Sequence, residues 1–296
     1  MKTSNQWFFR NFPFVLLAFV PGAPIIAADA DTESRSSPFW FPSGYFSDWF
    51  ARVDRAKAAQ PQWPSPLATT VVLLKEALRY DISRQSLRDG HTLYNLGSDK
   101  GLEFIPAERL QLIVGLPAWL TEDTKPEKTG FADQTFLAKY RIASGNEEDG
   151  NYMISAMLGL AVPNGSSEYT THHFVFTPAL GLGKGWGRFD IQSNLRVSVP
   201  ENEAGRTRLG TPIVFNNAAQ YHLWGYLWPE LEVNYTYWPN GRRSGMSQAF
   251  VTPGLALYKF HLYSRLEFVA VAGAQFAVTD HPIYHRNFIL SLQFPF

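Results

Sequence analysis

The chain has 296 residues, enough for one large domain, with 26 basic against 26 acidic side chains and no cysteine. Balanced charge offers no field that would favour nucleic acid or an acidic partner, and the missing cysteines exclude disulfide frameworks, thiolate metal sites and cysteine nucleophiles. Aromatics make up 15% and charged residues 18%, yet mean hydropathy is −0.17, so the apolar residues are dispersed, as strands require, rather than gathered into membrane helices.

In chain order, Lys2 and Arg10 precede the apolar stretch Phe12 to Val20, and Ala28-Asp29-Ala30 supplies the small residues a signal peptidase reads. This predicts an export leader over 1–30, its apolar stretch being too short to span a bilayer, which takes about 20 residues. Residues 31–66 read as a separate Pro-rich segment, because Pro38, Pro42, Pro61, Pro64 and Pro66 interrupt any sheet. Within it Phe46, Trp49, Phe50, Val53 and Ala56 recur at helical spacing, predicting one short amphipathic helix from near Ser47. A linker or surface helix is favoured over a plug in a barrel lumen.

From Leu67 the period becomes two, and 67–296 reads as the barrel. Ala68, Thr70, Val72, Leu74, Leu78 and Tyr80 alternate with Thr69, Lys75, Arg79 and Asp81. Ile154, Ala156, Leu158, Leu160 and Val162 alternate with Ser155 and Gly159, and Phe189, Ile191, Leu195, Val197 and Val199 with Asp190, Gln192, Asn194 and Arg196. Short turns (Pro106 to Glu108, Lys184 to Gly187, Gly225 to Leu227, Lys259 to Phe260) exchange with longer polar loops (Thr121 to Gly130, Asn164 to His172, Glu201 to Pro212, Pro239 to Ser247, Val278 to Pro282). The expected fold is all-β: a transmembrane antiparallel up-and-down barrel of about 12 strands with short periplasmic turns and long outer loops.

Two aromatic belts are expected: Trp119, Tyr169, Tyr237, Trp238, Phe276 and Tyr284 towards the loops, and Trp186, Phe189, Trp224, Trp228, Phe260 and Tyr263 towards the turns. The last strand puts Phe288, Leu290, Leu292, Phe294 and Phe296 on one face and ends on an aromatic, which reads as an assembly signal. Lipid cannot satisfy an unpaired edge, so this strand must pair with the first.

No catalytic, cofactor or metal site emerges. His172 and His173 are adjacent on an expected strand and so point to opposite faces, and Asp280, His281 and His285 only flank a loop. No nucleophile elbow occurs, and Gly181, Gly183, Gly185 and Gly187 precede no helix that would complete a phosphate loop. What remains is a charged interior: Lys75, Arg79, Arg109, Lys139, Arg141, Asp190, Arg196, Glu230, Glu232, Arg265 and Glu267 are expected to line the lumen. Facing lipid instead would cost roughly 2–4 kcal/mol for a Lys or Arg at the midplane.

Gly115-Leu116-Pro117, Gly130-Phe131-Ala132-Asp133, Lys139-Tyr140-Arg141 and Leu160-Ala161-Val162-Pro163-Asn164-Gly165-Ser166 resemble, in order and spacing, the outer-membrane proteins of the phenol-degradation meta-pathway family, over about Leu102 to Phe296. The resemblance implies an outer-membrane barrel linked to uptake of aromatic or other poorly soluble compounds, and carries no catalytic motif. The expected function is therefore a non-enzymatic channel for small molecules. Its partners would be outer-membrane lipids, the barrel assembly machinery and a small-molecule solute, with no nucleic acid. The alternatives are an outer-membrane enzyme of the lipase or deacylase type, a structural barrel without transport, and a soluble secreted sandwich.

Overall fold

A computed structural model describes residues 44–296. The expected leader over 1–30, and residues 31–43, lie outside the described residues. The elements are α1 (Trp49–Ala58), β1 (Ala77–Leu87), β2 (Thr92–Ala107), β3 (Leu110–Glu122), β4 (Lys128–Phe131), β5 (Gln134–Gly145), β6 (Tyr152–Val162) and β7 (Val175–Trp186). There follow β8 (Phe189–Val197), β9 (Val199–Pro200), α2 (Glu203–Leu209), β10 (Ile213–Tyr221), β11 (Leu227–Tyr237), β12 (Ser247–Tyr263), β13 (Leu266–Ala277) and β14 (Tyr284–Pro295).

β4 with β5, and β8 with β9, are each one strand interrupted by one or two residues, so the described wall has twelve staves. Each pairs antiparallel with its neighbours in sequence, and β14 returns to β1 in a register running from Ala77↔Pro295 to Leu87↔Tyr284. The sheet is thus a closed antiparallel barrel, as the alternation predicted.

Its polarity is that of a soluble protein turned inside out. Leu158 and Leu182 on the outer face are 53% and 49% exposed, while Gln111, Lys139, Gln192, Glu232 and Thr252 on the inner face are 0% exposed. Only hydrocarbon outside makes this arrangement favourable. On β14, Phe288 and Leu290 face outward while Asn287, Ser291 and Gln293 are buried inward, so the closing strand obeys the same rule.

One end of the barrel carries the tight connections, such as Gly187–Arg188 and Ser264–Arg265, together with the start of β1 and the end of β14. Gly187 has φ +61° with open space where a Cβ would sit, the backbone that such a turn needs. The other end carries the long connections 123–127, 163–174, 201–212, 238–246 and 278–283.

Several boundaries differ from expectation. The turn placed at Lys259 to Phe260 is a register shift with Lys259 at φ +60°, and β12 runs on to Tyr263. His172 has φ +58° and precedes β7, so the two histidines lie in a loop, not a strand. Trp228 and Trp238 are buried and Tyr284 faces the lumen against Phe250, so those three do not join the belts; Trp119, Trp186, Trp224 and Tyr263 are exposed on the outside.

The largest difference is at the start. The first strand begins at Ala77, not at residue 68, and the chain before it enters the barrel. Leu67, Val72, Leu73 and Leu74 are at most 1% exposed, and Trp63 is 3% exposed. They pack on wall residues Ile105, Met153 and Met157 on one side, and on Ala256, Val269 and Val271 on the other. The consecutive run Val71-Val72-Leu73-Leu74 is apolar on both sides because wall surrounds it. A plug therefore replaces the expected linker.

Candidate functional site

Residues 59–76 form a re-entrant segment rather than a regular element. An extended chain inside a barrel exposes backbone groups that must find partners, and the wall side chains supply them. Arg79 donates to the carbonyls of Pro66 and Leu67 at 3.1 and 2.7 Å, and Lys100 to that of Leu67 at 2.9 Å. Glu232 accepts the N–H groups of Ala68 and Thr69 at 2.8 and 2.6 Å. Asn194 donates to Thr70 O, Gln192 to Pro64 O, Lys139 to Leu73 O and Gln111 to Lys75 O.

The two limbs also hold each other. The Gln60 amide bonds both N–H and C=O of Leu74 at 3.0 and 2.7 Å, and Lys75 donates to Trp63 O at 2.7 Å. The tip, Leu67 to Thr70, lies at the level of Glu232 and Asn194.

Wall glycines make the room. A Cβ on Gly183 would lie 2.5 Å from Trp63, one on Gly181 2.9 Å from Val72, and one on Gly273 2.7 Å from Leu67. The Gly-rich stretch of β7, which the sequence offered only as a failed phosphate loop, is thus a seat for the segment.

Helix α1 closes the mouth at the short-turn end. Asp54 pairs with Arg265, Arg55 with Glu108, Trp49 Nε1 donates to Glu76 at 2.8 Å and Lys57 to Phe296 O at 2.9 Å. The Arg265 hydrogen bond holds the Asp54 carboxyl below the usual carboxylate range, outweighing slight burial.

Towards the long loops a vestibule of about 300 Å³ remains, floored by Leu67 and Ala68. Its wall carries a chain of neutral amides: Gln275 donates to Asn234, Asn234 to Asn216 and Asn216 to Asn194, each at 3.0 Å. A second space of about 120 Å³ lies beside the tip and shares Lys100 and Arg196 with the vestibule; a third of about 50 Å³ lies by α1.

The structure sorts the expected lumen residues. Arg79, Lys139, Arg141, Asp190, Glu230 and Glu232 are buried on the inner face, and Arg196 is half-buried beside the cavities. Glu267 lines the small space near α1 and lies 3.7 Å from Lys259. Three belong elsewhere. Lys75 sits on the re-entrant segment, Arg109 is exposed in the β2–β3 turn, and Arg265 sits in the β12–β13 turn holding α1. For these two arginines the alternation was extended past the strand ends into turns, where it no longer fixes a face. Gln192 and Asn194, which grip the segment, are not singled out by the sequence because amides are unremarkable on a polar face.

Two of the four fragments that carried the resemblance, Gly130 to Asp133 and Leu160 to Ser166, come together at the long-loop end. Phe131 N donates to Ser166 Oγ and Ser166 N to Phe131 O, both at 2.9 Å; Asp133 accepts Gly165 N, Thr171 N and Thr171 Oγ1 at 2.9, 2.8 and 2.6 Å. The two motifs form one interlocked loop pair, a structural clasp.

Residues 101–238 match the family model described as the MetA-pathway of phenol degradation. Over this stretch the chain is similar to that family. The match ends at residue 238, short of the C-terminus to which the motif resemblance was extended. No curated protein matches the sequence.

Among solved structures, an outer membrane channel from Pseudomonas putida F1 superposes with a TM-score of 0.53 at 11% identity, covering 79% of this chain and all (100%) of that one. The KdgM porin gives 0.46 at 11% identity over 74% of this chain and 99% of its own. The outer membrane channel DcaP of Acinetobacter baumannii gives 0.34 at 9% over 75% and 96%. This chain shares the fold of the first.

Proposed function

We propose that the protein is an outer-membrane channel of a Gram-negative cell through which small molecules, aromatic or otherwise apolar ones among them, enter passively, and that residues 59–76 close it at rest. In this reading the short turns and α1 face the periplasm and the long loops face outward. Outer-membrane lipids cover the apolar wall, and the assembly machinery reads the last strand.

One observation carries the proposal: a water-accessible vestibule ends on a segment held by side-chain hydrogen bonds to a polar wall rather than by strand pairing. Such contacts are exchangeable with water one at a time, whereas a wall strand can leave only by breaking a ladder. Similarity of fold to an outer membrane channel supports the location and the non-enzymatic role.

The test is reconstitution in planar bilayers, followed by liposome uptake of a panel of aromatic and aliphatic compounds. Brief, small conductance steps and uptake of panel members are expected. A barrel that never conducts and takes up nothing, even with the segment removed, would be a structural barrel instead.

A further inference from the structure

Four lumen carboxylates each already receive a donor. Asp81 receives Arg79 Nε at 2.9 Å and has Lys100 at 3.9 Å, Glu103 receives Gln111 at 2.6 Å, Glu232 holds the segment, and Glu230 receives Gln220 at 2.8 Å. Arg196 is the exception among the cations at the vestibule floor. Among the described residues its guanidinium has no ion pair and no hydrogen bond, and its Nε is enclosed without a partner.

The sheet explains why. On the flanking strands Arg196 faces Ala179 and Val214, neither of which offers a side-chain acceptor. The guanidinium therefore stands at the junction of the 300 and 120 Å³ spaces as a surplus positive charge. Close by, Val214, Phe250 and Ile289 give the vestibule an apolar side.

A planar guanidinium with free donors matches a carboxylate bidentately, and desolvation by an apolar wall strengthens the pairing. We propose that Arg196 makes the vestibule a binding site for small carboxylates bearing an apolar body, the carboxylate on the guanidinium and the body against Val214, Phe250 and Ile289. This deepens the uptake reading by naming a class of solute, and rests on that reading for the vestibule's access to the outside.

The test is calorimetric titration of the full-length barrel in non-ionic detergent with benzoate and hexanoate. Benzamide and hexanamide serve as uncharged controls that report micelle partition. Wild type should bind each acid at least tenfold more tightly than its amide. Arg196→Gln should remove that preference while leaving amide binding within twofold, and Arg196→Lys, which keeps the charge but not the fork, should lose several-fold of it. Folding is checked by the heat-dependent gel shift of a closed barrel. If the glutamine variant does not fold, the lysine variant decides, since unchanged acid affinity there overturns the role of the fork.

Equal binding of acids and amides by wild type, or a preference that survives Arg196→Gln, overturns the proposal. The outcome separates from that of the transport reading: acid binding by a barrel that never conducts sinks transport and leaves the site. Conduction without acid preference does the reverse.

Discussion

Replacing Glu232 should unseat the lumenal segment without disturbing the barrel. The carboxylate accepts the N–H groups of Ala68 and Thr69 at 2.8 and 2.6 Å, and both bonds tie the segment's tip to β11. Hydrogen bonds to a charged group are worth about 1.5–3 kcal/mol each. Ala68 borders the vestibule, so water can replace part of that, and the loss of a buried carboxylate removes its own desolvation cost. A net loss of about 2 kcal/mol is expected for Glu232→Ala, roughly 30-fold in the balance between seated and displaced segment. Glu232→Gln keeps one acceptor but sets an amide donor against a backbone donor, so it should fall between the two. In single-channel recordings the alanine variant should open at least tenfold more often than wild type, with the same heat-dependent gel shift. Unchanged opening frequency with a correctly folded barrel would refute the assignment of Glu232 as the clasp.

Gly183→Ala would put a methyl group 2.5 Å from the Trp63 ring, and overpacking of about 1–3 kcal/mol should raise opening frequency and lower the seated segment's protection from exchange. Asp133→Ala removes three hydrogen bonds to Gly165 and Thr171, so protease should cleave between residues 163 and 174 at least several-fold faster, with the barrel intact. Because Asp54 has a depressed carboxyl pKa, its grip on Arg265 is present above the usual Asp value of 3.8 and fades as pH falls below it. A spin label at Ala51→Cys should therefore gain mobility only below about pH 4, and Arg265→Gln should give that mobility at neutral pH. Deleting Phe296 removes the N–H that bonds Glu76 O and the carbonyl that receives Lys57, and shortens the outer apolar face of the closing strand. Outer-membrane levels should drop, and normal levels would count against that face as an assembly signal.

Strands were legible wherever apolar and polar residues alternate between two different media. Ile154 to Val162 and Phe189 to Val197 could be placed to within a residue or two because lipid lies on one side and a polar lumen on the other. The re-entrant segment was not legible for the same reason. Ala68, Thr70, Val72 and Leu74 alternate like a wall strand, and a sequence does not say whether an apolar residue meets lipid or the inside of its own barrel. Two signals pointed the other way: the run Val71-Val72-Leu73-Leu74 breaks the alternation, and Gly181, Gly183 and Gly185 recur at period two on the inner face of β7, where only close packing needs them. Trp228 and Trp238 were assigned to belts from position along the strand alone, and their burial follows from face, which position does not fix. Arg196 was visible as a lumen cation. That among the described residues it has neither an ion pair nor a hydrogen bond follows from the register that sets it against Ala179 and Val214.

The central claim is that residues 59–76 close a lumen which otherwise conducts. Planar-bilayer conductance of a variant lacking residues 44–74, with whatever precedes them retained, tests it most directly. The wall strands begin only at Ala77, so the barrel should assemble and show the heat-dependent gel shift. A steady conductance several-fold above the brief openings of wild type is predicted. A folded deletion variant that conducts no more than wild type would contradict the account.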